Sequence, residues 1–188
     1  MALGTVSNVS AGKPNTTGAV YYGALTATLP TAVSGTLTGF TSVGYISDAG
    51  VTNANSRSTD SVKAWGGDTV LNTQTEKTDQ FTFTMIEMMN SDVLKIVHGS
   101  SNVSGALSTG ITVNVNATEL DSFKWVIDMV LKGNALKRIT IPNAKVIEVA
   151  EVAYTDSDAV GYQVTLACEP DSSGNTHYEY IKAASASS

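Results

Sequence analysis

The sequence has a single cysteine and few charged residues. Cys168 cannot form an internal disulfide, and its neighbours Val164, Leu166 and Ala167 predict a small buried apolar side chain. Charged residues make up 15% of the 188 residues and hydrophobic residues 42%. This balance excludes a disordered chain and a long exposed helix. We therefore expect one domain with its own core, and the abundant threonine favours β-strands.

Positive charge is scarce as well. The chain has 11 Lys and Arg against 17 Asp and Glu, a formal net charge of −6, and its only adjacent basic pair is Lys137–Arg138. Tight nucleic-acid binding needs clustered cations and is not expected. No apolar run approaches the ~20 residues that span a bilayer, and residues 1–8 lack the features of a signal peptide. We expect synthesis in the cytoplasm and no membrane contact.

Motifs for catalysis, cofactors and metals are missing. The sequence has no phosphate-binding glycine loop and no Gly-x-Ser-x-Gly elbow. His98 and His177 stand far apart without a further ligand at metal-binding spacing. The run 156–158 begins like a calcium loop, but ligand positions five and twelve are Val160 and Ala167. The sequence predicts no enzyme, no cofactor and no metal site.

A period of two dominates the rest of the chain. Apolar residues alternate with mostly polar ones from Phe123 to Leu131, which is typical of a strand with one buried face. Further strands are predicted at 19–28, 40–47, 69–76, 80–85, 111–116, 136–141, 145–154 and 160–169. One short α-helix is predicted at about 90–98, capped by Asn90 or Ser91 and ended by Gly99. The expected fold is mainly β, a sandwich or barrel with this helix on it.

Three segments do not fit that pattern. Residues 1–18 and 183–188 are predicted to be flexible arms that flank a single domain at 19–182. The polar stretch 47–67 is predicted to be a long loop, either a solvated hairpin loop or an interaction surface. Arg57, Lys63 and Trp65 favour the interaction surface, because Trp and Arg dominate binding hot spots.

Several segments together resemble a known family. The resemblance is strongest in Gly44 to Thr52 and continues through Lys63 to Asp68, Phe81 to Thr84 and Pro170 to Tyr180. In order and spacing they resemble the major tail proteins, or tail tube proteins, of long-tailed bacteriophages with non-contractile tails. The resemblance covers most of residues 20–182, although no single segment is a chemical signature.

This resemblance implies a structural role in the virion. Such subunits form hexameric rings, each contributing strands to an inner β-barrel, and stacked rings form a tube through which the genome leaves. The long loop and the N-terminal arm would reach neighbouring rings, and Arg57, Lys63, Trp65 and Gly66 of the loop are the candidate contacts between subunits and between rings. Partners would be other copies, the tape-measure protein, the tail terminator and baseplate or distal tail proteins. DNA would pass an acidic lumen without specific binding, and Asp128 is one candidate for a lumen carboxylate.

The alternative is a monomeric binding module, for example a carbohydrate-binding or adhesive β-sandwich. It would need an exposed aromatic platform or a calcium site. Aromatic residues make up only 7% of the chain, and Trp125 lies in an apolar stripe. A glycan titration followed by tryptophan fluorescence separates this alternative from a tube subunit.

Overall fold

A computed structural model describes residues 5–15 and 18–184. The structure is mainly β, with 49% strand and 9% helix, and the described residues contain one α-helix. The expected fold class is therefore confirmed. No closed barrel is present in the described part of the single chain.

Eleven strands and one helix follow in chain order. The strands are β1 Lys13–Pro14, β2 Val20–Gly23, β3 Phe40–Ser42, β4 Ile46–Lys63, β5 Thr69–Met85, β6 Val103–Ala106, β7 Gly110–Val113, β8 Ser122–Val130, β9 Leu136–Val149, β10 Tyr162–Cys168 and β11 Tyr178–Lys182. The helix, α1, spans Ser91–His98 between β5 and β6.

Nine strands form one antiparallel sheet. Seven lie in the order β3-β2-β8-β9-β10-β5-β4, while β1 pairs with β8 and β11 pairs with β9. β6 and β7 form a separate hairpin. Within the described residues, β3 pairs only with β2 and β4 only with β5, so both ends of the sheet are open.

The core forms where alternating apolar side chains meet. Trp125 on β8 packs against Phe83 on β5, with ring centroids 5.8 Å apart, and both side chains are buried. α1 contributes four buried residues at helical spacing: Val93, Leu94, Ile96 and Val97. Asn90 caps the helix by accepting a hydrogen bond from the Asp92 amide at 3.0 Å, and Gly99 follows its last residue with φ of 93°. The helix prediction is confirmed.

Several predicted boundaries are wrong. The predicted strands at 69–76 and 80–85 are one strand, β5, and those at 136–141 and 145–154 are one strand, β9, which ends at Val149. The predicted loop at 47–67 is the strand β4 followed by a turn at 64–68. In β4 and the outer part of β5, polar Thr, Ser and Asn residues form the ladder without a buried face, so no alternation marks these strands.

The predicted arms are only partly described. Residues 1–4, 16 and 17 of the N-terminal arm and 185–188 of the C-terminal arm lie outside the described residues. Within the N-terminal arm, Lys13 and Pro14 pair with Val130 and Met129 on β8.

Candidate assembly surface

The β4–β5 hairpin extends far beyond the core. β5 changes from buried at Asp79 to exposed at Lys77, and every residue from 52 to 77 is exposed. We call residues 52–77 the ribbon. Because side chains on both of its faces are exposed, the ribbon packs against nothing in the described chain. An isolated two-stranded hairpin is marginally stable in water, so this surface needs a partner.

A buried carboxylate anchors the base of the ribbon. Asp79 is 3% exposed and accepts hydrogen bonds from Asn53 Nδ2 at 2.8 Å and Thr176 Oγ1 at 2.5 Å. His177 Nδ1 lies 2.5 Å from Asp79 Oδ2, and its ring stacks edge-on against Phe81. Burial alone raises the pKa of Asp79, but these hydrogen bonds and His177 outweigh burial and hold the pKa below its ordinary value.

The structure separates the four predicted contact residues. Lys63 ends β4, and Trp65 and Gly66 lie in the turn at the tip of the ribbon. Arg57 lies six residues before Lys63, about 20 Å down the strand. Trp65 is fully exposed, and Gly66 has φ of 119° with open space around it. These residues therefore belong to two regions, the tip and the middle of the ribbon.

The tip carries apolar residues that sequence reasoning missed. Val62 and Leu71 are cross-strand partners, each 53% exposed, and Val70 beside them is 62% exposed. Together with Trp65 they form the apolar tip. The available signal was the presence of Val62 and Val70–Leu71 on both sides of a Gly-Gly turn. Exposed aromatic and aliphatic residues grouped in this way mark contact surfaces.

Asp128 is not a solvent-facing carboxylate. It is 6% exposed, and its two oxygens accept hydrogen bonds from Arg138 Nε at 2.6 Å and Nη2 at 2.7 Å. Arg138 Nη1 also donates to the carbonyl oxygens of Ala32 and Gly35, so residues 32–35 cover this face of the sheet. The expectation that Asp128 could line a lumen is wrong, because a second layer of chain buries it.

Cys168 packs against the core as predicted, but it is partly rather than fully buried. Its thiol is free. Burial, and secondarily the charge of Asp79, raise the pKa of the thiol to about 12. The thiol is therefore protonated at neutral pH and behaves as a small apolar group.

The described residues hold neither a cluster of metal ligands nor a membrane-spanning helix. Residues 5–15 and 18–184 contain no group of three metal-ligating side chains that could hold an ion. The same part of the chain has no helix both long and apolar enough to cross a membrane.

A β-rich chain with open sheet ends and a ribbon without a partner has the form of a subunit of a larger assembly. Comparison with known families agrees with this class. The family model described as phage tail tube protein matches residues 7–187, nearly the whole chain. The chain belongs to this family and is a structural component of the phage tail. No curated protein sequence matches it.

Proposed function

We propose that this chain assembles into hexameric rings that stack into the tail tube of a phage with a non-contractile tail. The tube conducts the genome into the host cell and has no catalytic role. The ribbon carries this proposal, since residues 52–77 are exposed and no other described element packs against them. The apolar tip around Trp65 supports a contact with a neighbouring ring.

The open ends of the sheet support ring closure. The outer edges of β3 and β4 have no strand partner among the described residues. Unpaired edges invite uncontrolled association, and a closed ring of copies removes them by pairing one edge with the next. The inner β-barrel of the tube would form by this pairing of strands from neighbouring copies.

The acidic composition supports passage of DNA. Six copies carry a formal charge of about −36. A lumen lined by part of this charge repels phosphate groups, so that DNA passes without adhering. The buried, paired Asp128 does not contribute to such a lining. The tape-measure protein, the tail terminator and distal tail proteins are the expected further partners, and the virion tail is the expected location after synthesis in the host cytoplasm.

Electron microscopy of the purified chain tests the proposal. Negative-stain images at low and high concentration are expected to show rings or hollow tubes whose symmetry can be counted. Trp65→Ser is expected to reduce stacking, because it removes the largest apolar surface of the tip. Leu107→Ser is the matched control, since Leu107 is 64% exposed on a different hairpin. Equal stacking of both variants would show that the tip takes no part in the contact between rings.

The alternative of a glycan-binding module is tested with the same material. Trp125 is buried and Trp65 is fully exposed, so a ligand at the tip changes the emission of Trp65 alone. Saturable quenching by a glycan, with no rings in the images, would overturn the tube proposal.

A further inference from the structure

The two faces of the ribbon carry opposite charge. Successive residues of a strand point to opposite faces, and both register shifts between Arg57 and Lys63 place the extra residue on β5, so these two residues of β4 share one face. Lys77 on β5 lies directly opposite Arg57 in the ladder and belongs to the same face. We call these three residues the cationic face. The carboxylates on the two strands of the ribbon, Asp60 and Glu76, lie on the other face, since Glu76 pairs with Ser58, and the third carboxylate, Asp68, lies in the turn at the tip.

The three cations of the cationic face are not neutralised by any carboxylate within the described part of the chain. Like charges placed directly opposite in a ladder destabilise it, and Arg57 faces Lys77. Neither of them, nor Lys63, forms an ion pair among the described residues. Asp79, the nearest carboxylate on that face, is buried and already bonded to Asn53. The face therefore presents unneutralised positive charge in a chain that is acidic overall.

Negative charge that complements this face lies beside the other end of β5, near the core. Residues 146–181 contain no Lys or Arg. Within them, the stretch 148–158 exposes four carboxylates and the ring of Tyr154, which is 71% exposed. We call residues 148–158 the acidic segment. Its carboxylates are those of Glu148, Glu151, Asp156 and Asp158.

Within one chain these two surfaces cannot meet. Glu151 and Asp158 line a hollow with Thr84, near the core end of β5. Lys77 is seven residues closer to the tip, about 23 Å away along the strand. A contact between the two surfaces must therefore join two copies. Because the contacting surfaces differ, the contact is heterologous and repeats in one direction, as stacking of subunits requires.

We infer that the cationic face of one copy docks on the acidic segment of a second copy of this chain. The inference rests on the proposed function, in that it names the acceptor of the ribbon during stacking. Charge complementarity selects the partner and its orientation, while the apolar tip and Tyr154 supply surface to be buried. The contact weakens as ionic strength rises, because both groups are exposed before docking.

Charge exchange tests the contact in the full chain. Arg57→Glu with Lys77→Glu is expected to abolish tubes seen by electron microscopy, and Glu148→Lys with Glu151→Lys is expected to do the same. All four changes in one chain are expected to restore them. Tubes in either reversed variant, or no rescue in the combined one, would overturn the inference while leaving the proposed function in place. Thermal unfolding checks that each variant is folded.

A matched pair separates this contact from net charge. Arg57→Gln with Lys77→Gln makes the chain two charges more negative on the cationic face. Ala54→Glu with Ser58→Glu makes the same change on the opposite face, since both residues are exposed there. Only the first pair is expected to weaken stacking. Equal loss in both variants would assign the effect to net charge and overturn the inference.

Disulfide trapping detects the contact even where no tube forms. In a Cys168→Ser background, a chain with Lys77→Cys is mixed with a chain with Glu151→Cys under mild oxidation. The mixed dimer is expected to exceed that from Ala54→Cys with Glu151→Cys, in which the cysteine lies on the opposite face. Trapping without rings or tubes would count against the proposed function alone. No excess of the mixed dimer would overturn the inference.

Discussion

Arg138 on β9 and Asp128 on β8 form a buried ion pair with two parallel hydrogen bonds, 2.6 and 2.7 Å long. The same guanidinium donates to the carbonyl oxygen of Gly35 at 2.7 Å. One side chain therefore joins two central strands to the loop that covers them. Each buried charge has its counter-charge in this arrangement. A large loss of stability therefore arises only when one partner is removed and the other stays buried alone.

We expect Asp128→Ala to lower the free energy of unfolding by about 3–5 kcal/mol, because Arg138 would remain buried without a counter-charge. Urea unfolding measures the difference. Adding Arg138→Met to this variant is expected to restore part of the loss, since no charge then stays buried. A loss below about 1 kcal/mol, the range of exposed pairs, would contradict the role assigned to this pair.

The carboxylate of Asp79 makes stability dependent on pH. Its pKa is lowered in the folded chain, so it binds a proton less readily there than in the unfolded chain. Its contribution is therefore complete above the ordinary carboxyl pKa, about 4, and is lost as the pH falls through the lower folded pKa. Urea unfolding from pH 7 to pH 2.5 measures this loss.

Asp79→Asn is expected to be less stable than the parent chain at pH 7 and to show a shallower decline in acid. Asp60→Asn is the control, because Asp60 is an exposed carboxylate on the ribbon. Parallel stability profiles for the parent and Asp79→Asn would show that another group causes the acid dependence.

Position 44 requires glycine for two reasons, its backbone conformation and a neighbouring side chain. Its φ is 80°, and a Cβ there would lie 2.0 Å from the carboxyl carbon of Glu87. Glu87 is fixed, since its oxygens accept hydrogen bonds from the Tyr45 amide at 2.9 Å and Asn90 Nδ2 at 3.0 Å. Gly44→Ala would displace this carboxylate, which also links β4 to the residue that caps α1.

Gly50→Ala separates the two effects at Gly44. Gly50 has φ of 72° but no atom within 4 Å of its Cβ position. Gly50→Ala is expected to lower the free energy of unfolding only by the cost of placing alanine at a positive φ, about 1 kcal/mol. Gly44→Ala is expected to lower it by more. Thermal or urea unfolding of the two variants gives the difference. Equal losses would mean that Glu87 moves aside without cost.

Local patterns predicted those elements whose own residues determine them. Asn90 and Gly99 delimit α1, and the alternation from Phe123 onward predicts β8. The alternation of apolar and polar residues could not predict that Asp128 is buried, because such a pattern reveals only one buried face of a strand. Here four successive residues, Trp125 to Asp128, are buried since chain covers both faces.

The assembly surface was predicted in part. The region 47–67 and the tip residue Trp65 stood out by composition, but the ladder itself did not. Its strands are held by polar cross-strand pairs such as Ser56 with Thr78, at 2.7 Å. The anchor at Asp79 depends on Thr176 and His177, nearly a hundred residues later. Such a contact exists only once β5 and the segment before β11 lie together.

The ribbon is expected to exchange its amide protons quickly in the free chain. Residues 55–75 have no buried side chain, and a two-stranded ribbon alone is marginally stable, so local opening costs little free energy. Residues 81–85 of the same strand are flanked by β4 and β10 and include buried Phe81 and Phe83. Hydrogen exchange read by mass spectrometry compares the two segments in one molecule.

Assembly is expected to reduce this difference in exchange rate by protecting the ribbon. When a second copy covers residues 55–75, their opening requires loss of the contact, so exchange there slows in tubes while residues 81–85 change little. Dilute, monomeric chain is the reference sample. If residues 55–75 are already as protected in the monomer as residues 81–85, the ribbon is ordered by its own ladder. If they stay unprotected in tubes, the ribbon is not the stacking contact.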